Sequence, residues 1–241
     1  MKVLLTMAGL GSRFKNAGFQ EEKYAISFRD HTLLEWSLAS LLAFREHPLI
    51  LITRRFEGIE EELHEKAATL GFQNREVIVI EEVTRGQAET ATLAAPFFAK
   101  EDDSILIFNT DTYIDPKTLK PSDIRGAGWI PTFNAPGDKW SFVDADESGR
   151  ARRTTEKVRI SDDCSVGVYY FDSFRGFQDL VKNANSETEL YVAPLYNDWI
   201  GHGKSVYLHR LPEEAVTVLG TPEDLDRATY MNRPIWPESC L

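Results

Sequence analysis

V-L-L-T-M-A-G-L-G-S-R-F, from Val3 to Phe14, is the stretch on which the reading of this chain turns, with Lys23 following nine residues later. An apolar strand that runs into a glycine loop and then offers cations makes bare backbone N–H groups and positive charge converge on one spot. That is a device for holding phosphates. Gly9 and Gly11 taken alone fit a tight strand-to-helix turn equally well. The dinucleotide fingerprint is not completed, because Phe14 stands where its third glycine belongs, and the G-K-[ST] ending of a P-loop is missing. What remains is a glycine loop with Arg13, Lys15 and Lys23, which suits a triphosphate better than two phosphates. Lys15 reads as a solvated surface charge.

Working outward, short β-branched or apolar runs recur at 3–6, 49–53, 76–80 and 104–108, separated by segments of helical spacing at 32–44, 57–70 and 86–99. Thr32 followed by Glu35 predicts a capping box, and Gly71 predicts the end of the second helix. This alternation predicts βαβ units: an α/β, doubly wound, mostly parallel sheet with helices on both faces. After Pro121 the pattern changes to strands that read as antiparallel additions, at 129–134, 140–144, 150–156 and 166–171, with D-E-S-G at 146–149 as a hairpin turn. Helices at 173–183 and 193–200, strands at 206–210 and 215–219, and a closing helix begun by Thr221 and Pro222 complete the pattern.

A chain of 241 residues with 42% hydrophobic content can bury about 70–75% of its unfolded surface, so residues 1–241 read as a single domain. Thirty-eight acidic against 27 basic residues leave a formal charge of −11, which argues against nucleic acid or an anionic membrane as partner. A local cationic loop still outweighs distant, screened charge for a small anionic ligand. Cys164 and Cys240 have no C-x-x-C partner, so neither a disulfide framework nor a zinc site is expected, and a cytoplasmic setting fits. No signal peptide or membrane-spanning run is read.

Chemistry concentrates in three further places. In I-L-I-F-N-T-D, Ile105 to Asp111, an apolar strand ends in a carboxylate, the position from which a divalent metal can be held over phosphates. An Asx turn or helix cap is the alternative for Asp111, and Asp115 before Pro116 reads as such a turn. Gly86 and Gln87 open a helix directly after a strand and can read a base edge. Glu89 and Arg85 read as capping and surface residues. Lys157, at a strand end after Glu156, is a compact charge suited to a phosphate monoester or a merely solvated one. His31, His47, His64, His202 and His209 show no metal spacing or nucleophile pairing.

Taken in order, these residues resemble the sugar-phosphate and phosphoalcohol nucleotidyltransferases with a glycosyltransferase-A-like fold. Gly9 to Phe14, Lys23, Gly86–Gln87, Asp111, Glu156–Lys157 and Gly220–Leu225 correspond to that family's motifs. The resemblance implies that Ala8, Gly9, Gly11 and Ser12 wrap a triphosphate, that Arg13 stabilises the departing phosphates and that Lys23 holds the α-phosphate. It further implies that Gly86 and Gln87 contact the base, Asp111 binds Mg2+ and Lys157 grips the acceptor phosphate. Arg13, Lys23 and Asp111 are thus the candidate catalytic residues. The implied partners are a nucleoside triphosphate, with CTP and UTP ranked first, and a phosphate monoester; a homo-oligomer is compatible with this.

Two positions depart from the family pattern. Tyr24 replaces the proline that commonly follows the lysine. Val218 stands where many members carry a second metal-binding aspartate, so either Asp111 and substrate phosphates suffice for the metal or another carboxylate such as Glu213, Glu214 or Asp224 substitutes. The short length and the local style around W-S-F and Y-V-A-P-L-Y-N resemble compact members of capsule or surface-polysaccharide pathways. Two alternatives stay open: a metal-dependent glycosyltransferase using a finished nucleotide sugar, and a non-catalytic nucleotide-binding subunit.

Overall fold

The computed structural model describes residues 1–98, 102–184, 189–231 and 236–237. From the N-terminus, β1 (Lys2–Met7) leads through the glycine loop into α1 (Ser12–Asn16), a small hairpin of β2 (Ser27–Phe28) and β3 (His31–Thr32), and α2 (Leu33–Ser40). There follow β4 (Leu49–Arg54), α3 (Ile59–Thr69), β5 (Arg75–Ile80), α4 (Gln87–Thr92), β6 (Ile105–Phe108) and β7 (Thr112–Ile114). The later part adds β8 (Gly128–Asn134), β9 (Ser141–Ala145), β10 (Ala151–Glu156), β11 (Asp163–Ser165) and β12 (Tyr169–Phe171). It closes with α5 (Phe174–Asn183), α6 (Tyr196–Gly201), β13 (Val206–Arg210), β14 (Val216–Val218) and α7 (Pro222–Tyr230).

The expected α/β sheet forms. Parallel pairings place β1 between β4 and β6, with β5 outside β4. Successive side chains of a strand point to opposite faces, and the sequence uses both. Val3, Leu5, Leu49, Leu51, Leu106 and Phe108 pack on one face with Leu34, Leu38 and Leu63 of α2 and α3. Leu4, Ile50, Ile52, Ile105 and Ile107 pack on the other with Ala88, Ala91, Phe174, Phe177 and Trp199. Helices therefore cover both faces, and the carboxyl ends of β1 and β6 open on the same side.

The antiparallel additions also form, around β8. Both β11 and β12 pair with it antiparallel, while β13 pairs with it parallel. The hairpin turn at 146–149 is present, with Asp146 Oδ1 accepting from the Ser148 and Arg150 amides at 2.9 and 3.0 Å. Thr32 caps α2 in a full capping box with Glu35, and Thr221 caps α7 with proline at its start.

Four expectations need correction. The helix expected at 32–44 stops at Ser40 and gives way to a 3-10 turn at Leu42–Phe44. The one expected at 86–99 is α4 followed by a 3-10 turn, Ala95–Phe98; residue 99 lies outside the described residues. The strand expected at 166–171 is only Tyr169–Phe171, because the chain leaves the ladder at Gly167, where a side chain would meet the Asn109 amide at 2.2 Å. The strand expected at 215–219 joins no large sheet. As β14 it forms an antiparallel ribbon with β7, Val218 facing Thr112. That ribbon brings the far end of the chain against the segment following Asp111. Cys164 is a buried free thiol, and Cys240 lies outside the described residues.

Candidate active site

A cleft of about 660 Å³ opens beyond the carboxyl ends of β1 and β6. Ala8, Gly9, Gly11, Ser12, Arg13, Lys23, Gly86, Gln87, Asp111 and Lys157, every residue singled out for the site, line it together. Lys15 does not line it; its ammonium pairs with Glu22 at 2.9 Å. The five histidines are likewise absent from its lining.

The glycine loop is shaped by Gly11, whose φ of 64° is left-handed and which caps α1. Among the described residues, the backbone N–H groups of residues 9–13 meet no acceptor, so they are available to an anion. Phe14 pins the loop: it is buried and meets Phe19 edge-on at 5.2 Å. Arg13 beside it is exposed, and its guanidinium has no partner among the described residues. The aromatic ring that spoils the dinucleotide fingerprint is thus the anchor of the loop.

Lys23 Nζ donates to Asp111 Oδ2 at 3.0 Å, the two side chains being 22% and 34% exposed. Tyr24, at the usual proline position, secures this segment by packing: it is buried near Phe56, and burial pushes its phenol up to about 12. Asp111 is fixed from the far end of the chain. Its carbonyl accepts from the Leu219 amide at 2.8 Å, and Gly220 lies close to its side chain. Asp115 is the turn residue the sequence suggests, accepting from the Lys117 amide at 2.9 Å.

Gln87 is aimed by β1, since its amide nitrogen donates to Thr6 Oγ1 at 3.1 Å. Gly86 before it is held in a backbone clasp in which Leu190 donates to Arg85 at 2.8 Å and accepts from Ala88 at 3.2 Å. A Cβ at Gly86 would lie 2.6 Å from the Leu190 carbonyl oxygen. We therefore expect Gly86→Ala to break the clasp, lowering stability by about 1–3 kcal/mol and weakening nucleotide binding. Chemical denaturation together with nucleotide titration checks this; unchanged values in both would show that the clasp yields freely. Glu89 caps this helix start by accepting from Arg85, which holds its carboxyl below the usual range.

Lys157 adopts a left-handed φ of 55°, uncommon for a residue with a side chain and frequent at functional positions. Its amide donates to the Trp140 carbonyl at 2.9 Å. Its ammonium donates to the Tyr191 hydroxyl, which in turn donates to Glu189. The Tyr191 bond pushes the Lys157 pKa up, so the charged form is favoured. Burial pushes the Glu156 carboxyl up, against the opposing effect of a bond from Ser141.

Lys139, Trp140, Glu189 and Tyr191 also line the cleft; Trp140 and Tyr191 open the W-S-F and Y-V-A-P-L-Y-N runs, which pointed to a kind of family member and to no role in the site, and Lys139 and Glu189 carried no signal. Asp224 had a signal, in the G-T-P-E-D-L run. Val218 sits in the cleft as expected, whereas Glu213 and Glu214 do not. Asp224 does, but both its oxygens accept from Lys139 Nζ, at 2.9 and 3.2 Å. Among the described residues no three His, Cys, Asp or Glu side chains come together as a metal cluster. Asp111 still fits a magnesium ion of the kind that takes one or two carboxylates and completes its shell with water and substrate phosphate.

The family described as nucleotidyl transferase matches residues 2–191. The fold is similar to the crystal structure of the nucleoside-diphosphate-sugar pyrophosphorylase from Vibrio cholerae RC9, with 31% identity over 94% of this chain and 98% of that one, and a TM-score of 0.86. It is also similar to the inositol-1-phosphate CTP transferase from T. maritima, at 16% identity, covering 92% of this chain and 90% of that one, with a TM-score of 0.76; this likeness bears on the fold alone. None of the curated proteins matches the chain. No helix among the described residues is long and apolar enough to cross a membrane.

Proposed function

Because this chain belongs to the nucleotidyl transferase family, we propose that it transfers a nucleoside monophosphate from a nucleoside triphosphate to a phosphate monoester, releasing pyrophosphate. The observation that carries this reading is the gathering, in one cleft, of Arg13, which has no partner among the described residues, the Lys23–Asp111 pair and Lys157, from three distant parts of the chain. An oxygen of the acceptor phosphate forms a bond to the α-phosphorus as the bond from that phosphorus to the β-bridging oxygen breaks. No general base is required, because the attacking phosphate is already ionised. The free amides of the loop and Arg13 take up charge on the departing pyrophosphate, Lys23 steadies the α-phosphate, and Lys157 holds the acceptor. Gln87 faces the base with an amide that can donate or accept. A magnesium ion at Asp111 would neutralise phosphate charge.

In this reading the acceptor is a sugar phosphate or a small phosphorylated alcohol or amide, CTP or UTP is the donor, and the setting is cytoplasmic synthesis of a surface polysaccharide. The test is thermal stabilisation by each of the four ribonucleoside triphosphates and deoxythymidine triphosphate, with and without magnesium, followed by pyrophosphate release against a panel of phosphate monoesters. A magnesium-dependent shift with one nucleotide, followed by pyrophosphate release, supports the reading. Sugar transfer from a nucleotide sugar without pyrophosphate exchange would make it a glycosyltransferase. Tight nucleotide binding without turnover would make it a regulatory subunit.

A further inference from the structure

Lys139 is a cation of this cleft to which no motif assigns a role, and its placement is unusual. Its ammonium rests on Asp224, a carboxylate only 4% exposed, while the lysine side chain itself is 42% exposed. Asp224 also accepts from Thr221 Oγ1 at 2.8 Å, and its own amide donates back to that oxygen at 3.1 Å. The carboxylate is therefore fixed by the start of α7, and it fixes the lysine in turn. A lysine has three N–H donors, so the exposed side of this ammonium keeps one for a ligand.

The surroundings say where that donor stands. On one side Asp224 connects through Thr221 to Gly220, which packs against the Asp111 side chain. On the other, Trp140 follows Lys139 in sequence, keeps its ring 5.0 Å from the ammonium, and accepts the Lys157 amide on its carbonyl. Lys139 thus lines the same cleft as Asp111 and Lys157, and contacts through Asp224, Thr221 and Gly220 tie it to the first and through Trp140 to the second. Val218 puts an apolar side chain beside Asp111, and Asp224 is neutralised by its partner. The protein's own charge here is consequently more positive than a second free carboxylate would leave it.

We propose that Lys139 is a second binding residue for the acceptor phosphate, and that Asp224 is its positioning residue. This rests on the nucleotidyl-transfer reading of the cleft. Two anions must approach each other there, and an ammonium held on a buried carboxylate meets the incoming one without having to be reoriented first.

The test has a binding arm and a turnover arm, both on the full chain. In the binding arm, inorganic phosphate is titrated by calorimetry in an Arg13→Ala background, which reduces the contribution of the glycine loop equally in all variants. Lys139→Met with Asp224→Asn, removing both charges together, is expected to weaken phosphate binding about tenfold, whereas Lys139→Arg keeps most of it. Lys139→Gln, which leaves Asp224 a hydrogen-bond donor, serves if the double variant does not fold. In the turnover arm, without the Arg13 change, the same variants should raise the acceptor KM about tenfold and leave nucleotide affinity unchanged.

A merely structural ion pair would lower the melting temperature without moving phosphate affinity or acceptor KM, and that outcome overturns the proposal. If the unaltered protein releases no pyrophosphate with any donor and monoester, the nucleotidyl-transfer reading fails. The phosphate titration then still decides: equal affinity with and without the Lys139 ammonium overturns the assignment.

Discussion

Arg13→Ala is expected to lower turnover by about 10²- to 10³-fold while leaving folding stability nearly unchanged. The first half of that expectation follows from where charge accumulates. The departing pyrophosphate gains negative charge as the α,β-bond breaks, so a guanidinium beside it interacts more strongly with the transition state than with the ground state. The second half follows from what Arg13 lacks. It is exposed and has no partner among the described residues, so its removal costs the fold no packing or pairing. Leu106→Ala supplies the contrast, because Leu106 is fully buried in the strand beside β1 and should cost about 2–5 kcal/mol of stability. Initial rates of pyrophosphate release and denaturant unfolding of both variants check this pair. Should Arg13→Ala unfold the chain yet keep its specific activity, the loop is scaffolding and Arg13 has no place in the chemistry.

The same separation explains what could be read in advance. The parallel half was legible because each strand carries apolar residues on both faces, and because the capping chemistry of Thr32 and Thr221 is local. That Arg13, Gln87, Asp111 and Lys157 share one cleft was legible because each stands within three residues of a glycine or a strand end, and that Lys23 joins them because it follows the glycine loop; ligands in such sheets sit beyond the strand ends. Lys139 and Tyr191 were not. Their placement depends on Asp224, 85 residues beyond one of them, and on Lys157, 34 residues before the other, and no local spacing encodes partners so distant. The break at Gly167, where the backbone turns left-handed at φ 84° beside Asn109, and the ribbon of β14 with β7 have the same origin: contacts remote in sequence override strand propensity.

Asp111→Asn is expected to reduce turnover by about 10³-fold or more, the largest loss of any single change proposed for this chain. The substitution keeps the shape of the side chain and the backbone bond from Leu219, so the cleft itself should persist. What it removes is the negative charge that Lys23 meets at 3.0 Å. Because both side chains are partly exposed, solvent screens the pair, and its loss should cost only about 0–1 kcal/mol of stability. A metal held by one protein carboxylate and by phosphates has little to replace that carboxylate with, so raising the magnesium concentration should restore only a small part of the rate. Lys23→Met should also be slow. If Lys23 and Asp111 act as one unit on the α-phosphate, the double variant should be far less impaired than the product of the two single losses. Pyrophosphate release measured against magnesium for the four proteins of this cycle provides the check. Full activity of Asp111→Asn would remove Asp111 from the centre of the site, and nucleotide binding unchanged by it, in a protein without turnover, would favour a regulatory subunit.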